Sequence, residues 1–308
     1  MHRSPLQILV PTLLILLSLT SGCSQEETRR VDLSSRSVVD ANHPSTDIGL
    51  TIGMGAMITP REGYVYYKAL ADHLSKRLGM PVRLVDRGNY DEMNRELEQE
   101  RVDAAFVCAG PYVEGHDRFG LKLLAMPLVN GRPVYHSLII VHRDSPYRRL
   151  DDLRGKRFAF TDPKSNSGTI VPTAMLARMG ETPASFFGST TFTYGHDRSV
   201  RGVAEKLVDG AAVDSLIYEY MRRTSPDIVS RTRVIVTSEP YGIPPVVVRR
   251  SLPNGLTEQL RQAFLTIHLD PDGKKILKGM MIDRFVEGDE RNYDSIRVLS
   301  RIIEGSRQ

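Results

Sequence analysis

The stretch FTDPKSNSGTIVP, residues 160–172, changes character twice. The strand-like run Arg157–Phe160 ends in a cluster of hydroxyl, amide and glycine residues, and an apolar, helix-like segment follows at once. Such a junction caps a helix. It also suits an anion, because the first N–H groups of a helix have no partner within it and the macrodipole adds partial positive charge there. Ser165, Asn166 and Ser167 would add neutral donors. Gly168 would let backbone come close to a ligand, and Pro172 is acceptable if it still lies in the first turn. The local pattern by itself fits plain capping as well as binding.

Outward from this junction, strand-like and amphipathic helical runs alternate. IGLTIGMGA (48–56), VRLVD (82–86), VDAAFV (102–107), LKLLAM (121–126) and VYHSLIIVHR (134–143) read as strands. Thr59 can cap a helix on which Tyr67, Leu70, Ala71, Leu74 and Leu78 share a face before Gly79. Asn89 opens another, with Glu92 at capping-box spacing. A second cycle starts after Ser145. The helix following the opening stretch runs through Thr173, Leu176 and Met179 and stops near Gly180. STTFTYGHDRS (189–199) reads as strand then turn. Val200, Val203, Ala204, Leu207 and Val208 then form an apolar stripe closed by Gly210. AAVDS (211–215), TRVIV (232–236) and PPVVVRR (244–250) are later strands, and helical segments near 255–268, 270–280 and 292–304 finish the chain. Alternation of this kind predicts an α/β fold with mostly parallel, buried strands, and two cycles predict two lobes.

Other candidate residues sit beyond the predicted strands. His196, in TYGHDRSV, can donate to an oxyanion, or His196 or Asp197 can cap its helix. Asp214 ends a small apolar strand. A carboxylate there would accept a hydrogen bond from a protonated phosphorus oxyanion and repel fully ionised sulfate; a solvated loop acid is the plainer reading. Tyr90, Tyr112 and Tyr135 lie near strand ends in the first lobe and serve equally as hydroxyl donors or as packing. Lys164 is the nearest basic side chain, so an anion here would be held by dipoles and neutral hydrogen bonds.

The sequence has no HExxH, CxxC or paired metal-ligand spacing, no Walker A motif and no complete GxGxxG after a strand, so neither a metal nor another cofactor is expected. A hydrolase assembled from Ser165 or Ser167, His196 and Asp214 lacks a GxSxG elbow. The formal net charge of +4, with basic residues scattered among acidic ones, gives no footprint for nucleic acid.

The N-terminus reads as a targeting segment. A short basic start precedes an apolar run from Ile8 to Leu19 and the ending LTSGC, Leu19 to Cys23. That ending resembles a bacterial lipobox, which predicts cleavage after residue 22 and lipidation of Cys23; an ordinary signal with a chance cysteine is the alternative. Residues 24–47 are polar and without period, as a flexible tether would be. After Cys23 only Cys108 remains, so no internal disulfide is expected.

Taken together, FTDPKSNSGTIVP, then YGHDRSV, then the VDG and AAVDS segment, with VDAAFVCAGPYV and GRPVYHSLIIVHRDSP ahead of them, resemble the phosphate/phosphite/phosphonate substrate-binding proteins of ABC importers, the PhnD-like family, over about 48–300. The resemblance implies a two-lobed type II periplasmic binding fold, each lobe a mostly parallel sheet flanked by helices. Beyond the signal over 1–22 and the tether over 23–47, it implies lobe one from 48–140 and 242–308 and lobe two from 141–241, with crossings near 138–145 and 236–245. It further implies a monomeric, membrane-tethered binding protein with no enzymatic activity. A small phosphorus oxyanion would sit in the cleft for delivery to ABC permease subunits. Ser165, Asn166, Ser167 and His196 would grip it from lobe two and Tyr90 from lobe one, with Asp214 a looser match. Aminoalkylphosphonate binders of this family carry an acid in the return crossing. Here EPYGIPPVVV places Ile243 and Pro244 there, which favours phosphate, phosphite or methylphosphonate over an aminoalkyl ligand.

Overall fold

The structure is a computed structural model that describes residues 49–55 and 60–306. The expected signal over 1–22, Cys23, the tether and the Thr59 cap lie outside the described residues. The chain runs through β1 (Leu50–Met54), α1 (Pro60–Leu78), β2 (Val82–Asp86), α2 (Tyr90–Glu98), β3 (Ala104–Phe106), α3 (Ala109–Phe119) and β4 (Lys122–Leu128). It crosses by β5 (Val134–Tyr135) into β6 (Ser137–His142), β7 (Arg157–Phe160), α4 (Val171–Ala177), α5 (Pro183–Phe186), β8 (Ser189–Phe192), α6 (His196–Ala204), β9 (Gly210–Asp214), α7 (Ser215–Thr224), α8 (Pro226–Val229) and β10 (Thr232–Thr237). It returns by β11 (Tyr241–Gly242) to β12 (Val246–Val248), α9 (Asn254–Thr266), α10 (Pro271–Gly279), β13 (Arg284–Val286) and α11 (Asp294–Gly305).

Two sheets result, in the orders β13-β4-β12-β3-β1-β2 and β10-β6-β9-β7-β8. In the first, β1 pairs in parallel with β2 and β3, while β12 and β13 run the other way. In the second, β7 pairs in parallel with β8 and β9, and β6 runs against β9 and β10. The strand entered by each crossing, β6 or β12, is thus a reversed strand in the interior of its sheet. Helices cover both faces, so strands such as β1, β6 and β9 are continuous apolar runs rather than alternating ones.

The crossings pair with each other, Tyr135 opposite Tyr241 and Val134 opposite Gly242. The first crossing therefore lies ahead of the expected 138–145. β6 belongs entirely to the second sheet, and a boundary at 140/141 would cut it. Two helix ends also differ from expectation. α6 stops at Ala204 because Lys206 turns left-handed (φ 58°) and the Leu207 N–H folds back onto Gly202 O. Leu207 is left 64% exposed, and Gly210 starts β9 instead of closing a helix. α4 ends at Ala177, leaving Met179 on the surface.

The lobes share an apolar seam. Val171 and Ala174 of α4 pack with Val113 of α3 and with Tyr293, Ile296 and Leu299 around the start of α11. Gly110 lets α3 butt against lobe two, since a Cβ there would collide with the Lys164 carbonyl oxygen.

Candidate functional site

The residues of the candidate site lie just past the carboxyl ends of parallel strands. Tyr90 follows β2, Cys108 follows β3, the 161–168 loop follows β7, His196 follows β8, and Asp214 ends β9. Open α/β sheets bind ligands at this edge.

The opening stretch forms a wide π-type turn, Asn166–Ile170, that continues into α4. Ser165 is its N-cap: Oγ accepts from Gly168 N–H at 3.0 Å. Pro172 sits in the first turn of α4, as expected, and the π-type turn precedes it. Pro172 offers no N–H to the carbonyls of Ser167 or Gly168, and both find other donors. Ser137 Oγ–H donates to Ser167 O at 2.6 Å and Thr161 N–H donates to Gly168 O at 3.3 Å. The turn is thereby stitched to β6 and β7. This stitching requires glycine at 168, because a Cβ there would lie 2.6 Å from Thr161 Oγ1.

His196 is the first residue of α6 and fully buried, on the same face as Val200 and Val203. Gly195, not His196 or Asp197, occupies the cap position. Asp214 N–H donates to His196 Nδ1 at 3.0 Å, and Thr161 Oγ1 lies 3.1 Å from the same nitrogen. Because Nδ1 accepts, the proton of the neutral ring sits on Nε2. Burial pushes the imidazole down to about 3, so the ring stays neutral. The same bond is the reverse of a hydrolase triad, in which Nδ1–H would donate to the carboxylate. The Asp214 carboxylate turns elsewhere: Oδ1 accepts from Leu216 N–H at 2.6 Å, capping α7.

Tyr90 opens α2 behind the Asn89 cap, whose Oδ1 accepts from Glu92 N–H at 2.9 Å. Its backbone N–H crosses the cleft to Asp162 Oδ2 at 3.1 Å. Burial, then the charges of Cys108, Asp162 and Asp214, hold its phenol well above the ordinary tyrosine range, so it remains an O–H donor. Tyr135 Oη accepts from Asn166 Nδ2 at 3.0 Å and lies 3.9 Å from Cys108 Sγ. Tyr135 therefore positions Asn166. Exchanging the amide oxygen and nitrogen of Asn166 would keep that bond, with Tyr135 donating, and would present Nδ2 donors in place of Oδ1.

Five buried polar atoms in this connected cluster have no hydrogen-bond partner among the described residues: Tyr90 Oη, Asn166 Oδ1, Ser167 Oγ, His196 Nε2 and Asp214 Oδ2. Each belongs to a residue no more than 1% exposed. Buried polar groups are nearly always paired, so such a concentration marks a site completed by something else. Tyr90, Ser167 and His196 offer neutral donors, and Asp214 offers an acceptor. Lys164 is committed to an interlobe latch, its Nζ 2.5 Å from Asp91 and 2.7 Å from Glu114.

Tyr112 does not join the cluster. It packs edge-on against Tyr293, 4.6 Å between ring centroids, and its charged neighbours are Glu290, Arg297 and Asp117. One turn into α3, it faces the apolar seam rather than the cleft. Three residues were missed from the sequence. Thr161 and Asp162 stand in the opening stretch itself, immediately beyond β7, and Cys108 caps α3 just beyond β3, a position that was a sufficient signal in each case. No group of side chains suited to a metal ion occurs among the described residues.

The family model for ABC-transporter, phosphonate, periplasmic substrate-binding proteins matches residues 52–293. The chain belongs to this family. It is 28% identical over 236 residues to a phosphonates-binding periplasmic protein of Escherichia coli K12, covering 75% of this chain and 70% of that protein. It is 30% identical over 167 residues to a phosphate-import protein of Mycolicibacterium smegmatis, covering 50% of this chain and 52% of that protein. Among solved structures, a binding component of a Pseudomonas aeruginosa ABC phosphonate transporter superposes with a TM-score of 0.80 at 23% identity, covering 84% of this chain and 88% of that one. A Prochlorococcus marinus protein solved with methylphosphonate gives 0.76 at 18% identity, covering 83% and 98%. These likenesses show the two-lobed fold of type II periplasmic binding proteins.

Proposed function

We propose that this protein is an exported, lipid-anchored solute-binding protein that captures a small phosphorus oxyanion (phosphate, phosphite or methylphosphonate) and presents it to the permease of an ABC importer. The cluster of five unpartnered buried polar atoms carries the reading. Three neutral donors and one carboxylate suit a protonated tetrahedral oxyanion: the donors take its charged oxygens and Asp214 takes its O–H. Sulfate has no proton for Asp214 to accept, and two facing anions would repel. The names of the relatives support a phosphorus ligand. Cys23 would carry the lipid and the polar tether would hold the lobes near the membrane; no helix among the described residues is long and apolar enough to cross it.

A thermal-shift screen across oxyanions tests the reading. A ligand at 100 times its dissociation constant adds about 2.7 kcal/mol, and for a chain of this size each kcal/mol raises Tm by roughly 2–4 °C. A rise with at least one phosphorus oxyanion and none with sulfate is expected. A response to sulfate or to carboxylates alone would refute it.

A further inference from the structure

Cys108 stands among the residues of the oxyanion cluster, and no second cysteine occurs among the described residues to pair with it. It occupies the N-cap position of α3, just beyond β3, and is 1% exposed. Its Sγ lies 3.9 Å from Tyr135 Oη, the hydroxyl that accepts from Asn166 Nδ2 at 3.0 Å. The turn of lobe two that starts at Asn166 presses on the same spot, since a Cβ at Gly110 would come within 3.3 Å of Asn166 N. The side chains around the thiol carry two buried polar atoms without partners, Tyr90 Oη and Asn166 Oδ1. Tyr90 is 1% exposed and Asn166 is fully buried.

Closure of the lobes controls what this thiol can do. With the lobes together, burial pushes it above the ordinary cysteine range; the Asn166 N–H pulls it down, Asp214 pushes it up, and the Gly110 N–H and the Tyr135 hydroxyl pull it down. A buried, neutral thiol is unreactive. With the lobes apart, the turn of lobe two withdraws and water returns, while Sγ stays at the N-terminus of α3 beside the Gly110 N–H. Both conditions favour the thiolate. Ligand holds the lobes together and so keeps the thiol covered.

A hydroperoxide is the class of oxidant that suits such a thiol. The sulfur attacks the outer peroxide oxygen, an S–O bond forms as the O–O bond breaks, and the sulfur gives up two electrons. The thiol proton passes to the leaving oxygen, which departs as water or an alcohol. With no second thiol beside it to condense with, the sulfenic acid persists. Its oxygen then lies among Tyr90, Tyr135 and the Asn166 N–H and engages donors that an oxyanion would use.

We propose that Cys108 is a modification site: a hydroperoxide converts it to a sulfenic acid when the lobes are open, the added oxygen blocks the oxyanion site, and bound ligand prevents the reaction. The proposal rests on the oxyanion reading above. The full chain is treated with hydrogen peroxide, with and without a saturating amount of the tightest binder among methylphosphonate, phosphite and phosphate. Sulfenic acid is trapped with dimedone and located by peptide mapping, which separates Cys108 from Cys23. Affinity is read by calorimetry on untrapped samples before and after treatment. Ligand is expected to slow capture at Cys108 by about tenfold or more. Modified protein is expected to bind about 30-fold or more weakly, about 2 kcal/mol, and dithiothreitol to restore the affinity. Cys108→Ala and, as a second variant, Cys108→Ser are each expected to stay after peroxide within about twofold of their own starting affinity. A loss in these variants would place the damage at methionines and overturn the proposal. No capture at Cys108, equal capture with and without ligand, or undiminished binding by the modified protein would overturn it too. Failure of the untreated chain to bind any phosphorus oxyanion would overturn the oxyanion reading, and this proposal with it.

Discussion

Burial lifts the Asp214 carboxyl to about 7, while the backbone N–H groups of Leu216 and Ile217 pull it down. Its ordinary value is 3.8, so between about 4 and 7 the folded chain holds a proton that the unfolded chain releases. Through this group alone, the unliganded protein loses stability as pH rises through that window. His196 acts in the opposite sense. Its folded value, about 3, lies below the ordinary 6.5, so stability falls as pH drops from 6.5 toward 3. The two slopes offset one another between about pH 4 and 6.5, so Asp214→Asn is expected to leave the His196 slope alone, with Tm rising as pH rises through that window in the absence of ligand; a profile unchanged from wild type would contradict the assignment. The same variant replaces an acceptor by an amide that can donate. Its preference for phosphorus oxyanions over sulfate is expected to fall from about 100-fold or more to below about tenfold, a change above 1.4 kcal/mol. Wild type at about pH 8 is expected to take up about one proton on binding a dianionic phosphonate, read from titrations in buffers of different ionisation enthalpy. No uptake would mean that Asp214 and ligand do not share a proton.

At the scale of elements, the junction after β7 decides how well the site is held. Gly168→Ala would push its Cβ into Thr161, which lies 3.1 Å from His196 Nδ1 and helps hold the ring. A destabilisation of about 1–3 kcal/mol is expected from the overpacking, measured by denaturant unfolding, together with weaker ligand binding. Normal stability would show that Thr161 moves aside freely. The sequence already showed this junction as a capped helix start beyond a strand, because hydroxyls, glycine and apolar period are local signals. It did not show the π-type turn, whose cause is non-local: Ser137 and Thr161 occupy the carbonyls that Pro172 leaves without a donor. Nor did it separate Tyr90 from Tyr112. Both follow strands in lobe one, but one starts its helix at the cleft and the other lies a turn inside α3, facing Tyr293. Leu207 misled for a similar reason, since its place in an apolar stripe does not reveal that the helix ends before it.

Across the whole molecule, closure is written into the seam. Asp162 meets the Tyr90 N–H and Lys164 meets Asp91 and Glu114, each joining one lobe to the other, and Asn166 of lobe two meets Tyr135 in the crossing. Ligand-driven hinge closure assembles contacts of this kind. Gly110→Ala places a methyl group against the Lys164 carbonyl and holds the lobes apart. It is expected to weaken ligand binding by about tenfold or more, about 1.4 kcal/mol, with little change in unliganded Tm. Small-angle scattering would show the compaction on ligand addition reduced, and full compaction in the variant would refute a role for the seam. The two-lobe alternation was legible because buried parallel strands leave unbroken apolar runs. The place of the crossing was not, because Val134 to His142 reads as one strand and only pairing in space divides it between the two sheets.

Calorimetric titration of methylphosphonate, phosphite, phosphate and sulfate into wild type and Ser167→Ala tests the central claim most directly. Ser167 Oγ is buried, unpartnered and dispensable for the stitching of its turn, which uses the Ser167 carbonyl. A hydrogen bond to a charged group contributes about 1.5–3 kcal/mol, a loss of roughly 10- to 150-fold on removal. The account predicts one phosphorus oxyanion bound per chain, sulfate far weaker, and a loss of that size in Ser167→Ala with Tm within about 2 °C of wild type. Unchanged affinity in a folded Ser167→Ala, or equal binding of sulfate by wild type, would contradict it.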